Sequence, residues 1–106
     1  MKNKYQSKKN NTLGLDDAKE LVRNYIQEHA DATDALMLED DDIYVVWFCY
    51  ILGGWKTLIS TTIVDGMYYE VTYNHCKDEL YLDAYKKWEN IEYAVMAPLT
   101  NQPKEN

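Results

Sequence analysis

Glu70 and Asp83 are the two residues whose types and placement best suit chemistry. The strand pairing derived below puts them directly opposite each other on adjacent antiparallel strands. Two carboxylates that close can share a proton or divide acid and base roles between them. The sequence therefore leaves open a weak enzyme that uses this pair, beside the simpler interpretation of two solvated side chains.

The two histidines offer less. His75 is followed by Cys76 in a polar segment, and side chains adjacent in a loop seldom bind one metal ion. His29, near the end of a predicted helix, suits the negative end of the helix dipole. The sequence contains no nucleophile elbow, phosphate-binding loop, dinucleotide-binding motif or zinc-protease motif. We therefore expect no catalytic residue, no metal site and no cofactor.

An acidic run is the sharpest feature of the charge pattern, and it consists of Glu39, Asp40, Asp41 and Asp42. The net charge is −7, and acids greatly outnumber Lys19 and Arg23 in residues 16–42. Such a body repels phosphate backbones, which argues against direct nucleic-acid binding. It can attract a basic protein surface instead. Acidity that only keeps a small protein soluble is the alternative.

Hydrophobic periodicity predicts one helix followed by four strands. The helix covers 16–30, with an apolar stripe that includes Leu21, Val22 and Tyr25. Gly53-Gly54 and Asp65-Gly66 are typical hairpin turns. The predicted strands cover 43–52, 55–64, 67–73 and 80–87. Residues 88–97 either extend the last strand or form a short cover.

The two turns also predict which residues share a face of the sheet. The face toward the helix is predicted to carry Ile43, Val45, Trp47, Cys49, Leu58, Ser60, Thr62, Val64, Met67, Tyr69 and Val71. The other face is predicted to carry Tyr44, Val46, Phe48, Tyr50, Thr57, Ile59, Thr61, Ile63, Tyr68, Glu70 and Thr72. If Leu80 and Leu82 face the helix, Tyr81, Asp83 and Tyr85 join this second face.

These elements predict an α+β fold: an N-terminal helix packed on a four-stranded antiparallel meander, in a two-layer sandwich with a cystatin-like order of elements. We expect a disordered basic tail over 1–12, one domain over 13–97 and a polar C-terminal tail over 98–106. No apolar run suits a signal peptide or a membrane span, so we expect a cytoplasmic protein. Cys49 and Cys76 are expected to be free thiols, with one disulfide as the alternative.

Aromatic residues dominate the second face. Tyrosine is enriched at protein interfaces because it combines contact area, a hydroxyl group and little loss of entropy. The same face carries two acids and no predicted cation, which disfavours stacking on nucleic-acid bases. Together with the acidic run, the candidate binding residues are Glu39, Asp40, Asp41, Asp42, Tyr44, Phe48, Tyr50, Tyr68, Glu70, Tyr81, Asp83 and Tyr85.

Three segments carry a family resemblance: IYVVWFC, STTIVDGMYYEVTYN and ELYLDAYKKWEN. They resemble a small family of unknown function found in Gram-positive bacteria and their phages. The resemblance covers roughly the C-terminal two-thirds of the chain and brings no assigned activity. It implies a phage or prophage setting and a location in the host cytoplasm.

The sequence thus favours a non-enzymatic, acidic binding protein of phage origin that inhibits a host nucleic-acid-binding or defence protein. The expected partner is a host protein with a basic surface, with neither nucleic acid nor membrane as a direct partner. A homodimer through the tyrosine-rich face is a further expectation. The alternatives are a protein that binds or sequesters a nucleotide-like ligand, and a weak enzyme that uses Glu70 and Asp83.

Overall fold

The computed structural model describes residues 3–8, 12–29 and 38–99. It contains one α-helix, α1 (Leu15–His29), and a short 3₁₀ helix (Asp40–Asp42). Four strands follow: β1 (Ile43–Ile51), β2 (Gly54–Thr61), β3 (Met67–Asn74) and β4 (Glu79–Lys86). The strands form one antiparallel sheet in the order β1-β2-β3-β4. The predicted α+β meander is confirmed; the predicted helix end at Ala30 lies outside the described residues.

Helix α1 supplies one layer of the core. Ala18, Val22 and Ile26 recur at spacings of four, which places them on one side of the helix, and all three are buried. They pack with Ile43, Ile59 and Val71 of the sheet. Val71 is fully buried, as predicted.

The first hairpin turns one residue earlier than predicted. Ile51 pairs with Gly54, so the turn consists of Leu52 and Gly53, and Gly53 has a φ of 84°. Gly54 lies inside β2, where a Cβ atom would sit 1.8 Å from the carbonyl oxygen of Tyr73. Both glycines are needed, but for different reasons: Gly53 for the left-handed backbone and Gly54 for the close approach of β3.

A β-bulge at Val46 divides β1 into two halves. Val45 pairs with Ile59, but Trp47 pairs with Leu58, so one extra residue lies on β1. The hydroxyl of Thr57 donates to the carbonyl oxygen of Trp47 at 2.7 Å across the strands. As a result Ile43 and Val45 face the helix as predicted, but Trp47 and Cys49 do not.

The second hairpin has a longer loop than predicted. Residues 62–66 connect β2 to β3, and Ser60 pairs with Tyr68. The carboxylate of Asp65 accepts a hydrogen bond from the backbone N–H of Met67 at 3.0 Å, which closes this loop. The change in register reverses the predicted faces of β2. Leu58 and Ser60 lie away from the helix, and the residues toward it are Trp55, Thr57, Ile59 and Thr61.

The third hairpin has the predicted register. Glu70 pairs with Asp83, Tyr68 with Tyr85 and Val71 with Leu82. Leu80 and Leu82 pack against the core, which confirms the assumption on which this register rests. The faces of β3 and β4 are therefore those that the sequence predicts.

Two segments lie outside these elements. Residues 3–8 contact α1 through Tyr5 and Ser7, whose hydroxyls each donate to Asp17 at 2.8 Å. They fall within the predicted disordered tail, whose boundaries stay a prediction. Residues 87–99 follow β4 and are neither helix nor strand.

Candidate binding face

The sheet has one face without a helix, which we call the open face. Its residues alternate along each strand with buried residues such as Ile59, Tyr69 and Val71. The open face consists of Tyr44, Trp47, Cys49, Lys56, Leu58, Ser60, Tyr68, Glu70, Thr72, Tyr81, Asp83 and Tyr85.

Strand pairing arranges the open face in three rows across the sheet. The first row, nearest the acidic run, is Tyr44, Ser60, Tyr68 and Tyr85. The second is Trp47, Leu58, Glu70 and Asp83, and the third is Cys49, Lys56, Thr72 and Tyr81. Neighbours within a row are about 5 Å apart, so the side chains form one continuous surface.

Large aromatic side chains on this face are accessible. Tyr44 is 44% exposed, Trp47 38%, Tyr81 47% and Tyr85 52%. Their ring edges and faces are therefore available for contact, while their strands hold the backbone in place. Such a surface suits a macromolecular partner better than a small ligand, because no wall encloses it.

Two of the predicted aromatic residues belong to the other side of the sheet. Phe48 pairs with the buried Thr57, and its ring lies 5.6 Å from that of Trp55. Tyr50 lies on the same side as Phe48, with ring centroids 5.2 Å apart, and it is 83% exposed beside the first turn. The bulge at Val46 moved both residues off the open face. Trp47 takes their place, and the sequence did not reveal it because a bulge leaves no clear signal.

Glu70 and Asp83 are cross-strand neighbours, as predicted. The ammonium group of Lys56 lies 3.6 Å from a carboxylate oxygen of Glu70. This cation relieves the repulsion that two adjacent carboxylates would otherwise suffer. The sequence did not predict that Lys56 lies near Glu70. Lys56 pairs with Thr72, one row from Glu70, and this placement depends on the register of β2.

The acidic run leads directly into β1 and is only partly free. The Asp42 carboxylate accepts hydrogen bonds from the backbone N–H of Glu39 at 2.9 Å and from the Thr62 hydroxyl at 3.0 Å. These two bonds, the backbone one first, lower the pKa of Asp42. Asp40 forms an ion pair with Arg23 at 2.6 Å. Glu39 and Asp41 are exposed and add negative charge beside the Tyr44 row.

Asp17 anchors the segment that precedes α1. This buried carboxylate accepts hydrogen bonds from Tyr5, Ser7 and the backbone N–H of Gly14, each at 2.8 Å. Burial, followed by the contact with Asp17, raises the pKa of Tyr5 well above its usual value. The bond to Gly14 forms half of a capping box, because Asp17 is the third residue of α1 and Gly14 directly precedes the helix.

The histidines and cysteines lie apart from the open-face rows, except for Cys49. The Tyr73 hydroxyl donates to Asp78 at 3.1 Å and lies 3.2 Å from His75, and burial raises the pKa of Tyr73. Cys49 and Cys76 are free and exposed, so the expected core position of Cys49 is wrong. Among the described residues no cluster of histidine, cysteine or acidic side chains could hold a metal ion. In the same part of the chain, no helix is long and apolar enough to cross a membrane.

A family model matches residues 15–95, which is most of the chain, and is described as a family of unknown function (DUF6275). Its range covers α1, all four strands and part of the segment after β4. Searches of curated proteins and of solved structures gave no match. The geometry of the open face is therefore the basis for any statement about function.

Proposed function

The chain belongs to this family of unknown function, and we propose that it is a non-enzymatic protein that binds a partner protein through the open face and the exposed acids beside it. The observation that carries this proposal is that Tyr44, Trp47, Tyr68 and Tyr85 lie in two neighbouring rows of the open face. Tyr44, Trp47 and Tyr85 are exposed there. Aromatic residues of this kind dominate the energetic centres of protein interfaces.

The charge of the chain supports a basic partner. The net charge is −7, and Glu39, Asp41 and Asp83 are all exposed around the open face. Opposite charge on the partner would steer the two proteins together and raise the association rate. A nucleic acid would be repelled by the same charges. We therefore propose a protein surface that itself resembles a nucleic-acid-binding surface.

The sequence resemblance suggests a biological setting for this proposal. A protein of Gram-positive bacteria or their phages would meet its partner in the host cytoplasm. Inhibition of a host nucleic-acid-binding or defence protein fits an acidic surface that occupies a basic one. The proposed setting is supported by the quoted segments, and the proposed binding is supported by the geometry of the open face.

Contacts of the Glu70 and Asp83 pair favour binding over catalysis. Lys56 already lies beside Glu70, and the pair sits on a flat sheet surface rather than in a closed cleft. Acid–base chemistry depends on a positioned substrate and on exclusion of water, which such a surface does not supply. The same flatness argues against a nucleotide-like ligand.

The test is capture of a partner from a host lysate by the tagged chain, followed by mass spectrometry. The face variant, Tyr44→Ser with Tyr85→Ser, should reduce capture at least about 10-fold, since it removes two exposed aromatic contacts. The matched control, Tyr50→Ser with Leu52→Ser, removes exposed apolar residues elsewhere and should leave capture unchanged. A partner captured equally by both variants would refute the open face as the binding surface.

A further inference from the structure

Residues 87–99, which we call the arm, leave the sheet at the end of β4 and are exposed throughout. The arm is rich in apolar side chains, which are exposed as follows: Trp88 93%, Ile91 54%, Tyr93 79%, Val95 96%, Met96 81% and Leu99 77%. Single exposed apolar residues are ordinary, but a contiguous group of this size marks an interaction surface.

The backbone of the arm is also without partners in the described part of the chain. The N–H of Lys87 donates to Gly66 at 2.7 Å, and beyond Lys87 no backbone hydrogen bond joins the arm to another described residue. Ile91, Tyr93 and Val95 alternate with Glu92 and Ala94, which is the pattern of a half-buried strand. The arm thus has the pattern of a strand but no neighbour to pair with.

The outer edge of β4 is a suitable neighbour. β1 and β4 are the edge strands of the sheet, so the outer edge of each pairs with no other strand of the described residues. The bulge at Val46 interrupts β1, and bulges of this kind protect an edge from further pairing. Strand β4 pairs with β3 without interruption from Glu79 to Lys86, so its outer edge is regular.

We propose that two copies of the chain form a symmetric dimer in which the arm of each copy pairs antiparallel with β4 of the other. The arm continues β4 directly, so both interactions are made by one long strand and its two-fold related copy. Such an interface uses the same surface on both copies and closes on itself. It joins the two sheets edge to edge, with Ile91, Tyr93 and Val95 on the same side as the open-face residues of β4.

Side-chain chemistry selects the register of this pairing. With the two-fold axis at Trp88, Lys87 lies opposite Glu89 of the partner subunit and Tyr85 opposite the partner's Ile91. If the axis were at residue 87, Lys87 would lie opposite the partner's Lys87. If it were at residue 89, Glu89 would lie opposite the partner's Glu89. Among these three axes, only the one at Trp88 avoids every like-charge pair.

The arm offers apolar contact area to this pairing. Ile91 and Val95 would contact Tyr85 and Tyr81 of the partner subunit, and Trp88 would meet its own copy across the axis. The Lys87 ammonium lies 6.0 Å from the ring centroid of Tyr68, which places it on the open-face side of the sheet. The pairing with Glu89 of the partner subunit requires both side chains to lie on one side.

Light scattering on the full chain tests the proposal. We expect a mass twice the 12.5 kDa of one chain at about 100 µM. Ile91→Lys with Val95→Lys should raise the dissociation constant about 10-fold or more, because it removes four apolar cross-strand contacts, those of Ile91 with the partner's Tyr85 and of Val95 with the partner's Tyr81. The control, Tyr50→Lys with Leu52→Lys, adds the same charge at exposed sites by the β1–β2 turn and should remain dimeric. A native chain that stays monomeric at this concentration would overturn the proposal. So would an arm variant whose dissociation constant equals that of the control.

Cysteine cross-linking tests the register independently. In a Cys49→Ser and Cys76→Ser background, Trp88→Cys should form a covalent dimer on oxidation, because residues facing each other across the axis have Cα atoms about 5 Å apart. Leu52→Cys is the control and should not cross-link. Failure of Trp88→Cys in a chain that is otherwise dimeric would exclude this register. These variants leave the open-face aromatics intact, so their failure is distinguishable from failure of the proposed function.

Discussion

Aromatic residues occupy both faces of the sheet, but their surroundings differ. On the helix side, Trp55, Tyr69 and Tyr73 are 3–4% exposed, whereas Tyr44, Trp47 and Tyr85 on the open face are 38–52% exposed. Burial raises the pKa of Tyr69 to about 12, which reflects how far its hydroxyl is removed from water. The same residue types thus form a core on one side and an accessible surface on the other.

This difference shows that composition does not distinguish a core face from an exposed face in a small sheet. The register of each hairpin decides which side chains are buried and which are exposed, since a shift of one residue moves every side chain of a strand to the opposite face. Register depends here on Gly54, on the bulge at Val46 and on the loop over 62–66. The predictions below test that dependence, beginning with the largest expected effect.

Gly54→Ala should be the most damaging substitution. The new methyl group would lie 1.8 Å from the carbonyl oxygen and 2.8 Å from the carbonyl carbon of Tyr73, both of them backbone atoms. Strand β3 would have to move away from β2, at a cost of roughly 3 kcal/mol or more in the free energy of unfolding. Urea denaturation measures this. A variant with unchanged stability would show that β2 and β3 do not approach as described.

Ile59 and Leu58 offer a matched comparison of the two faces within one strand. Ile59 is fully buried on the helix side, whereas Leu58 is half-buried on the open face. Ile59→Ala should cost about 2–5 kcal/mol of stability, because it leaves a cavity in the core. Leu58→Ala should cost about 1 kcal/mol or less. Equal losses in thermal or urea unfolding would contradict the assignment of faces.

Trp47 tests the bulge itself. If Trp47 were buried on the helix side, its truncation to alanine would lower the free energy of unfolding by about 3–5 kcal/mol. Because Trp47 is 38% exposed on the open face, Trp47→Ala should cost less, about 2 kcal/mol. Its fluorescence should also respond to an added quencher, unlike that of the buried Trp55. A loss near the larger value would mean that β1 continues without a bulge.

The parts of the structure that the sequence predicted are those that depend on local patterns. The apolar stripe of α1, the four strands and the β3–β4 register all follow from periodicity, because Leu80 and Leu82 identify the inner side of β4. The first turn was misplaced because either glycine of Gly53-Gly54 suits a turn, and only contact with Tyr73 reserves Gly54 for the strand. The faces of β2 were predicted incorrectly for another reason, the longer loop over 62–66, and those of the second half of β1 because of the bulge at Val46.

The candidate site was predictable to the same extent. Tyr44, Tyr68, Tyr81 and Tyr85 lie on the open face as predicted. For Tyr44 the prediction holds because the bulge and the longer loop over 62–66 each reverse the face once, so the two errors cancel. Phe48 and Tyr50 were misassigned by the bulge. Trp47 and Lys56 were missed, since no sequence pattern marks a bulged residue or a cation whose partner lies on the next strand.

Asp42 gives the smallest expected effect and links the acidic run to the position of β1. Its carboxylate accepts hydrogen bonds from Glu39 and Thr62 just before β1 begins, and these bonds lower its pKa below the ordinary value of 3.8. A carboxyl whose folded pKa is depressed stabilises the fold above its unfolded pKa, and this contribution is lost as the pH falls through the folded pKa. Asp42→Asn should therefore be slightly less stable than the native chain at pH 7, with the difference disappearing as the pH falls below about 4. Asp41→Asn is the control, since Asp41 makes neither of these bonds, and its stability should follow the native chain at every pH. Thermal unfolding between about pH 2.5 and 7 measures both variants, and parallel curves for Asp42→Asn and the native chain would exclude a charge-dependent role for Asp42.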